Sequence, residues 1–158
     1  MPTTPRPPEA SVTVMHEIVL PSHTNALGTA FGGTIMSWID VCGAITAQRH
    51  CRGDVVTASI DRIDFLAPVR LGDIVRLTGR ICWAGRTSVE TEVEVEVEHP
   101  STGEVERTGR AFITFVAVDA DGRPRLVPEL ALTTDDARLR YQQGAERRAR
   151  RLELAGRT

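Results

Sequence analysis

At 158 residues, with 41% hydrophobic and 25% charged content, the chain is long enough to bury one sizeable core and ordinary in composition for a globular domain. A net charge of −2 argues against a nucleic-acid binder, which carries a clearly basic surface. Three cysteines (Cys42, Cys51 and Cys82), an odd number without metal-ligand spacing, fit a reducing, cytoplasmic compartment better than a disulfide framework. All 19 residues of the Lys/Arg class are arginine, which reads as a base-composition bias.

Residues 1–10 hold four prolines and read as a disordered leader with no apolar signal region. Ser11–Leu20 is enriched in β-branched residues and predicts a strand, followed by a loop over Pro21–Thr29. From Gly32 or Gly33 a helix is predicted to run to about His50. Its apolar run is interrupted by Asp40, Ser37 and Thr46, which suits a buried helix more than a membrane span. The turn Arg52-Gly53-Asp54 leads to a strand over Val55–Phe65, which Pro68 ends. Ile74–Trp83 is the next strand, with Val75, Leu77, Ile81 and Trp83 assigned to one face, and Ala84-Gly85-Arg86 makes a short hairpin. Ser88–Glu98 alternates strictly, valines one way and Glu90, Glu92, Glu94, Glu96 and Glu98 the other, so the acids are read as a solvated face. Val105–Asp119 is a fifth strand whose second half looks buried on both faces, which suggests a central strand. The tail from Thr134 is rich in helix formers, with Thr133 or Thr134 as N-cap, Gly144 as a break, and Arg147 to Arg151 as a solvated face or tail.

The domain plan is therefore a leader over 1–10, one α+β domain over 11–128 and a helical extension over 129–158. Strands of about ten residues exceed the usual length and predict a curved antiparallel sheet, able to wrap the apolar helix nearly all round.

One group stands out chemically. Asp40 is the only carboxylate between His23 and Arg49, and its neighbours include Ile35, Met36, Trp38, Ile39 and Val41. A carboxylate among such residues is costly unless it is needed there. Structural hydrogen bonding is the bland alternative, as a turn is for Asn25 with Gly28 and tight packing is for Gly32-Gly33. His16, His23, His50 and His99 lack zinc spacing, and neither a G-x-S-x-G elbow nor a phosphate loop occurs.

The order strand, long helix, four strands, helix, together with LPSHTNALGTAFGGTIMSWID, Gly85-Arg86-Thr87-Ser88 and Phe115-Val116-Ala117-Val118-Asp119, resembles the hotdog-fold acyl-CoA thioesterases over residues 14–128. The likeness is to the acyl-CoA hydrolase group of bacterial short- and medium-chain enzymes and mammalian cytosolic hydrolases. It implies a hotdog fold of about five strands and hydrolysis of acyl-CoA to fatty acid and coenzyme A. By resemblance, Asp40 is the catalytic acid and Asn25 its counterpart from a second subunit. Gly32 and Gly33 correspond to the helix N-terminus facing the thioester carbonyl, and Gly85, Arg86, Thr87 and Ser88 to the coenzyme A site. One departure is His23, where many relatives carry an acidic or other polar residue. A single such sheet exposes a long edge and half of a site, which predicts at least a homodimer, and the resemblance implies a trimer of dimers. No cofactor is expected beyond the coenzyme A of substrate and product, and charge and the interrupted apolar run predict no nucleic-acid or membrane partner. Asp40 can act as general base or as nucleophile, and the residues do not separate the two. Alternative functions are a non-catalytic acyl-CoA sensor and an enoyl-CoA hydratase or dehydratase. The latter needs an active-site histidine, and none falls in the helix before His50.

Overall fold

The structure, a computed structural model, describes residues 3–156; Met1 and Pro2 of the expected leader lie outside it. Five strands, β1 (Thr13–Ile18), β2 (Val55–Phe65), β3 (Ile74–Ala84), β4 (Ser88–Glu98) and β5 (Val105–Ala117), form one antiparallel sheet in the order β1-β3-β4-β5-β2. Helix α1 (Gly32–Cys51) lies across its inner face, and helix α2 (Asp135–Leu154) across the outer face. This is the expected α+β hotdog, with β1 and β2 as free edges.

The core is the inner face of the sheet against α1. Val75, Leu77, Ile81, Val89, Val93, Val95, Ile113 and Phe115 meet Ile35, Ile39, Cys42 and Ala47 with almost no exposure. Their periods explain the fit: every second residue of a strand, every third or fourth of the helix. One assignment is corrected. The β3–β4 pairing shifts between Ile81 and Trp83, so Trp83 pairs with Glu90 and leaves the face that holds Val75 and Leu77. An extra residue in one strand re-aims every side chain beyond it.

That shift prepares the seat of α2. Trp83 lies beneath the helix where Gly144 passes: a Cβ on Gly144 would sit 2.7 Å from the Cβ of Trp83. Gly144 therefore does not break the helix, which is continuous from Asp135 to Leu154; it permits the close crossing. Thr134 is the N-cap, its hydroxyl accepting from the Ala137 amide at 3.1 Å. The acidic face of β4, expected in water, is in fact covered here. Glu90 is 1% and Glu92 6% exposed. Arg147 donates to both carboxylate oxygens of Glu90, Arg140 pairs with Glu92 at 2.6 Å, and Arg151 pairs with Asp61 of β2 at 2.6 Å. Arg147 also stacks on Phe112, and Arg148 lies over Trp83. The arginine run is thus the complement of the acidic strand and not a solvated tail. Burial still pushes the Glu90 carboxyl up from its usual range, with Arg147 opposing that rise.

The expected disordered leader is also corrected. Arg6 exchanges backbone hydrogen bonds with Glu129 and Ala131, and its guanidinium donates to the carbonyl of His50. Residues Pro8–Ser11 form a 3-10 turn against α1 and β3. His50 is fully buried, its Nε2 donating to the Pro128 carbonyl at 2.9 Å while Nδ1 has no partner. Burial holds its ring below the ordinary histidine range.

Candidate active site

Helix α1 is less enclosed than expected. Its inner positions are buried, but Gly33, Met36, Ser37 and Val41 are exposed and Asp40 is half-buried. Exposure runs along one stripe at helical spacing, and Asp40 stands in the middle of it. The stripe faces the β2 side of the sheet, because the Thr57 hydroxyl donates to Asp40 Oδ1 at 2.9 Å. Thr57 was not singled out in the sequence. Its contact depends on an irregularity: Thr57 pairs with Phe115 but Ser59 with Thr114, so Ala58 is an extra residue. Thr57 consequently points inward with Phe115 while Ser59 points outward.

Asn25 sits in a tight loop. Its Oδ1 accepts from the amides of Leu27 and Thr29, and its Nδ2 donates to the Thr29 hydroxyl at 3.0 Å. Gly28 has φ +76°, a left-handed conformation that closes the turn and that glycine adopts without strain. Within one chain the hydrogen-bond partners of Asn25 are its own loop, and that of Asp40 is Thr57; the two are not joined to each other. The loop is anchored by Ala30 donating to the Val69 carbonyl and Phe31 to that of His23, whose ring stands edge-on to Trp38.

The N-terminus of α1 has no side-chain cap. A Cβ on Gly33 would meet nothing within 4 Å, so packing within the chain does not require a glycine there. Gly32 lies near the ring of Phe65, at the far end of β2. Gly33 and Asp40, seven residues apart on one helix, are separated by roughly 10 Å along its axis. The hairpin Gly85–Ser88 lies at the other end of the sheet. Thr87 accepts from Ala117, which pairs with Val55 at the start of β2. Beside that hairpin opens a groove of about 820 Å³ bounded by Gly85, Arg86, Leu126, Glu129, Leu130 and Tyr141. Thus the structure brings Asp40 near the start of β2 and the hairpin end, and Asn25 with Gly32-Gly33 to the opposite end.

A thiol nucleophile is disfavoured by burial, which raises Cys42 and Cys51 to about 11 and pushes Cys82 further up. Among the described residues no group of three His, Cys, Asp or Glu side chains is placed to hold a metal. Helix α1 and the free edge β2 carry exposed apolar side chains, among them Met36 and Val41 on the helix and Val56, Ile60 and Phe65 along the strand.

The same fold recurs in proteins to which the chain is similar in sequence. Residues 27–104 match the family model described as the thioesterase superfamily. The chain is 42% identical over 129 residues to an uncharacterized acyl-CoA thioester hydrolase, YkhA, of Bacillus subtilis, covering 82% of this chain and 75% of that one. The chain belongs to the thioesterase superfamily. Another member, the acyl-CoA thioester hydrolase YciA of Escherichia coli, is 37% identical, with 81% of this chain and 98% of that one covered. The crystal structure of an apo-hexameric acyl-CoA thioesterase superposes with a TM-score of 0.92 at 39% identity, over 97% of this chain and 98% of that one. A Staphylococcus aureus acyl-CoA hydrolase, solved with butyryl coenzyme A, coenzyme A and coenzyme A disulfide, gives 0.85 at 34% identity, over 96% and 94%. That enzyme has also been solved with alanine in place of an aspartate, an asparagine or a threonine.

Proposed function

We propose that this thioesterase-superfamily member hydrolyses acyl-CoA to a carboxylic acid and coenzyme A, with Asp40 as the catalytic carboxylate. The observation that carries the reading is the Thr57–Asp40 hydrogen bond on the exposed stripe of α1. It holds a carboxylate, with a hydroxyl beside it, on a surface ready to be covered. The asparagine, aspartate and threonine replaced in the Staphylococcus enzyme are spaced by 15 and 17 residues. Asn25, Asp40 and Thr57 have the same spacing.

The 10 Å between Gly33 and Asp40 argues that one helix does not supply both the oxyanion donors and the base for a single thioester. Reacting groups must lie within about 3 Å of one carbonyl. Pairing of β2 edges from two subunits in antiparallel fashion exchanges the ends of the sheet. It carries Asn25 and Gly32-Gly33 of one subunit toward Asp40 and Thr57 of the other. Each site then takes Asp40, Thr57 and the Gly85–Ser88 hairpin from one chain and the loop and helix N-terminus from its partner. The exposed Met36, Ile60 and Phe65 are the apolar surface such a dimer would bury. Three such dimers would make a trimer of dimers, six chains as in the hexameric relative.

In this arrangement Asp40 draws a proton from water as the water attacks the carbonyl, and the proton passes to the coenzyme A sulfur as the C–S bond breaks; or Asp40 attacks directly, expelling the coenzyme A thiolate and leaving a mixed anhydride that water then hydrolyses. Asn25 positions the water or the intermediate, and the free N–H groups at Gly32 and Gly33 receive the oxyanion. Arg86 and the groove beside it suit the phosphates and nucleoside of coenzyme A. The reaction needs only water and substrate. We place the enzyme in the cytoplasm, in keeping with three unpaired thiols. No helix among the described residues is long and apolar enough to cross a membrane. The deciding measurement is thiol release from a series of acyl-CoA chain lengths by wild type and by Asp40→Asn. Turnover by wild type that vanishes in the variant is expected; equal turnover in a folded variant refutes the role of Asp40, and saturable binding without turnover by wild type favours a sensor.

A further inference from the structure

Strand β2 carries the active-site threonine on the least regular part of the sheet. Within one chain it is an edge, paired on one side with β5, and it contains two shifts in eleven residues, between Thr57 and Ser59 and between Ile60 and Ile63. The first shift is what turns Thr57 toward Asp40. Without it, Thr57 and Ser59 would point the same way, since strand side chains alternate with period two. A bulged edge holds its register weakly unless something outside the ladder fixes it. The hydroxyls of Ser59 and Thr114, cross-strand partners on the outer face, are buried and make no hydrogen bond, so they do not supply the fixing.

The tie comes from α2. Arg151 reaches across the outer face and donates to Asp61 Oδ2 at 2.6 Å, inside the second irregular segment. Both side chains are largely withdrawn from water, at 21% and 24% exposure. One turn earlier, Arg147 grips Glu90 of β4, whose neighbour across the sheet is Thr114 and, beyond it, Ser59. The helix therefore spans from a strand in the middle of the sheet to its bulged edge, with an ion pair at each end of the span.

Building on the assignment of Asp40 as the catalytic carboxylate, we propose that Arg151 and Asp61 are positioning residues: the C-terminal helix locks the bulged register of β2 from behind and so keeps the Thr57 hydroxyl on Asp40. Neither residue touches substrate; both act through the strand.

The test uses the full-length oligomer. Arg151→Met and Asp61→Asn should each lower kcat about 10- to 100-fold, with KM changed less than about twofold, because a small misplacement of a catalytic contact is felt in the chemical step. Arg151→Lys should restore most of the rate, and Arg138→Met, at an exposed pair with Asp135, should leave it unchanged. In a Thr57→Val background Arg151→Met should cost nothing further, since both changes remove the same contact. Amide exchange over Thr57–Ile63 should accelerate in Arg151→Met while β3 and β4 stay protected. Unaltered exchange in β2 overturns the clamp whatever the enzyme hydrolyses, and so does full additivity of the double variant. Absence of hydrolysis by wild type, with exchange in β2 still accelerated by Arg151→Met, would instead reject the catalytic assignment and leave the register lock standing. Should Arg151→Met fail to fold, the reciprocal pair Arg151→Asp with Asp61→Arg decides: recovered protection in β2 supports the clamp, and its loss in a folded protein refutes it.

Discussion

Asp40, Asn25 and Thr57 are three polar side chains with very different visibility. Asp40 shows in the sequence because an acid in an apolar helix is conspicuous, and Asn25 because it heads a loop that closes through Gly28. Thr57 is invisible there, since counting by twos along Val55–Phe65 places it on the face of Ser59, and only the extra residue at Ala58 reverses it. Replacing Asp40 by Asn should cost about 10²–10⁴ in kcat, the range of a lost general base, measured by thiol release with the circular dichroism spectrum unchanged. Thr57→Val removes a hydrogen bond to a charged acceptor, worth about 1.5–3 kcal/mol, and should slow turnover roughly 10- to 100-fold. Arg86→Ala is expected to raise KM for acyl-CoA and to leave kcat nearly untouched, in keeping with a contact to the nucleotide end.

At the scale of elements, the informative error concerns β4 and α2. Alternation over Ser88–Glu98 identifies two faces, and it identifies the valine face as core. It does not say what covers the acidic face. The complement was present in the sequence as a signal of charge: arginines at 140, 147 and 151 recur at helical spacing, opposite acids that recur at strand spacing. Glu90 is buried beneath a half-buried Arg147, so removing the arginine strands the carboxylate. Arg147→Met should lower stability by about 3–5 kcal/mol in chemical denaturation. Gly144→Leu, which drives a side chain into Trp83, should cost about 1–3 kcal/mol, or detach the helix and expose the Trp83 indole to a fluorescence quencher.

For the molecule as a whole, two histidines set opposite pH dependences. Burial lowers His50 from the ordinary histidine range, so its contribution is complete above the unfolded value near 6.5 and is lost as pH falls from there through the lowered folded value. His99, which pairs with Asp73 and Glu106, is raised, so its contribution is complete at low pH and is lost as pH climbs through the folded value. Melting temperatures between about pH 5 and 9 should therefore fall less on the acid side in His50→Asn and less on the alkaline side in His99→Asn. The proposed sharing of sites predicts complementation. Asp40→Asn and Asn25→Ala should each be inactive alone, but after subunits are exchanged the mixture should recover roughly a quarter of wild-type activity, because each hybrid dimer would hold one intact site. No recovery in verified hybrids would mean that both residues serve one site within a chain.

By itself the sequence determined the element order, the inner core and the candidate carboxylate on the helix. Those rest on local period and on residue chemistry, which travel with the chain. Only the tertiary structure decided that Trp83 and Thr57 leave the faces their neighbours keep, that the acidic strand is roofed by an arginine helix, and that Asp40 lies against the Thr57 hydroxyl at the start of β2. Each of those depends on a bulge, a crossing or a contact between segments far apart in the chain, quantities set by how distant segments meet.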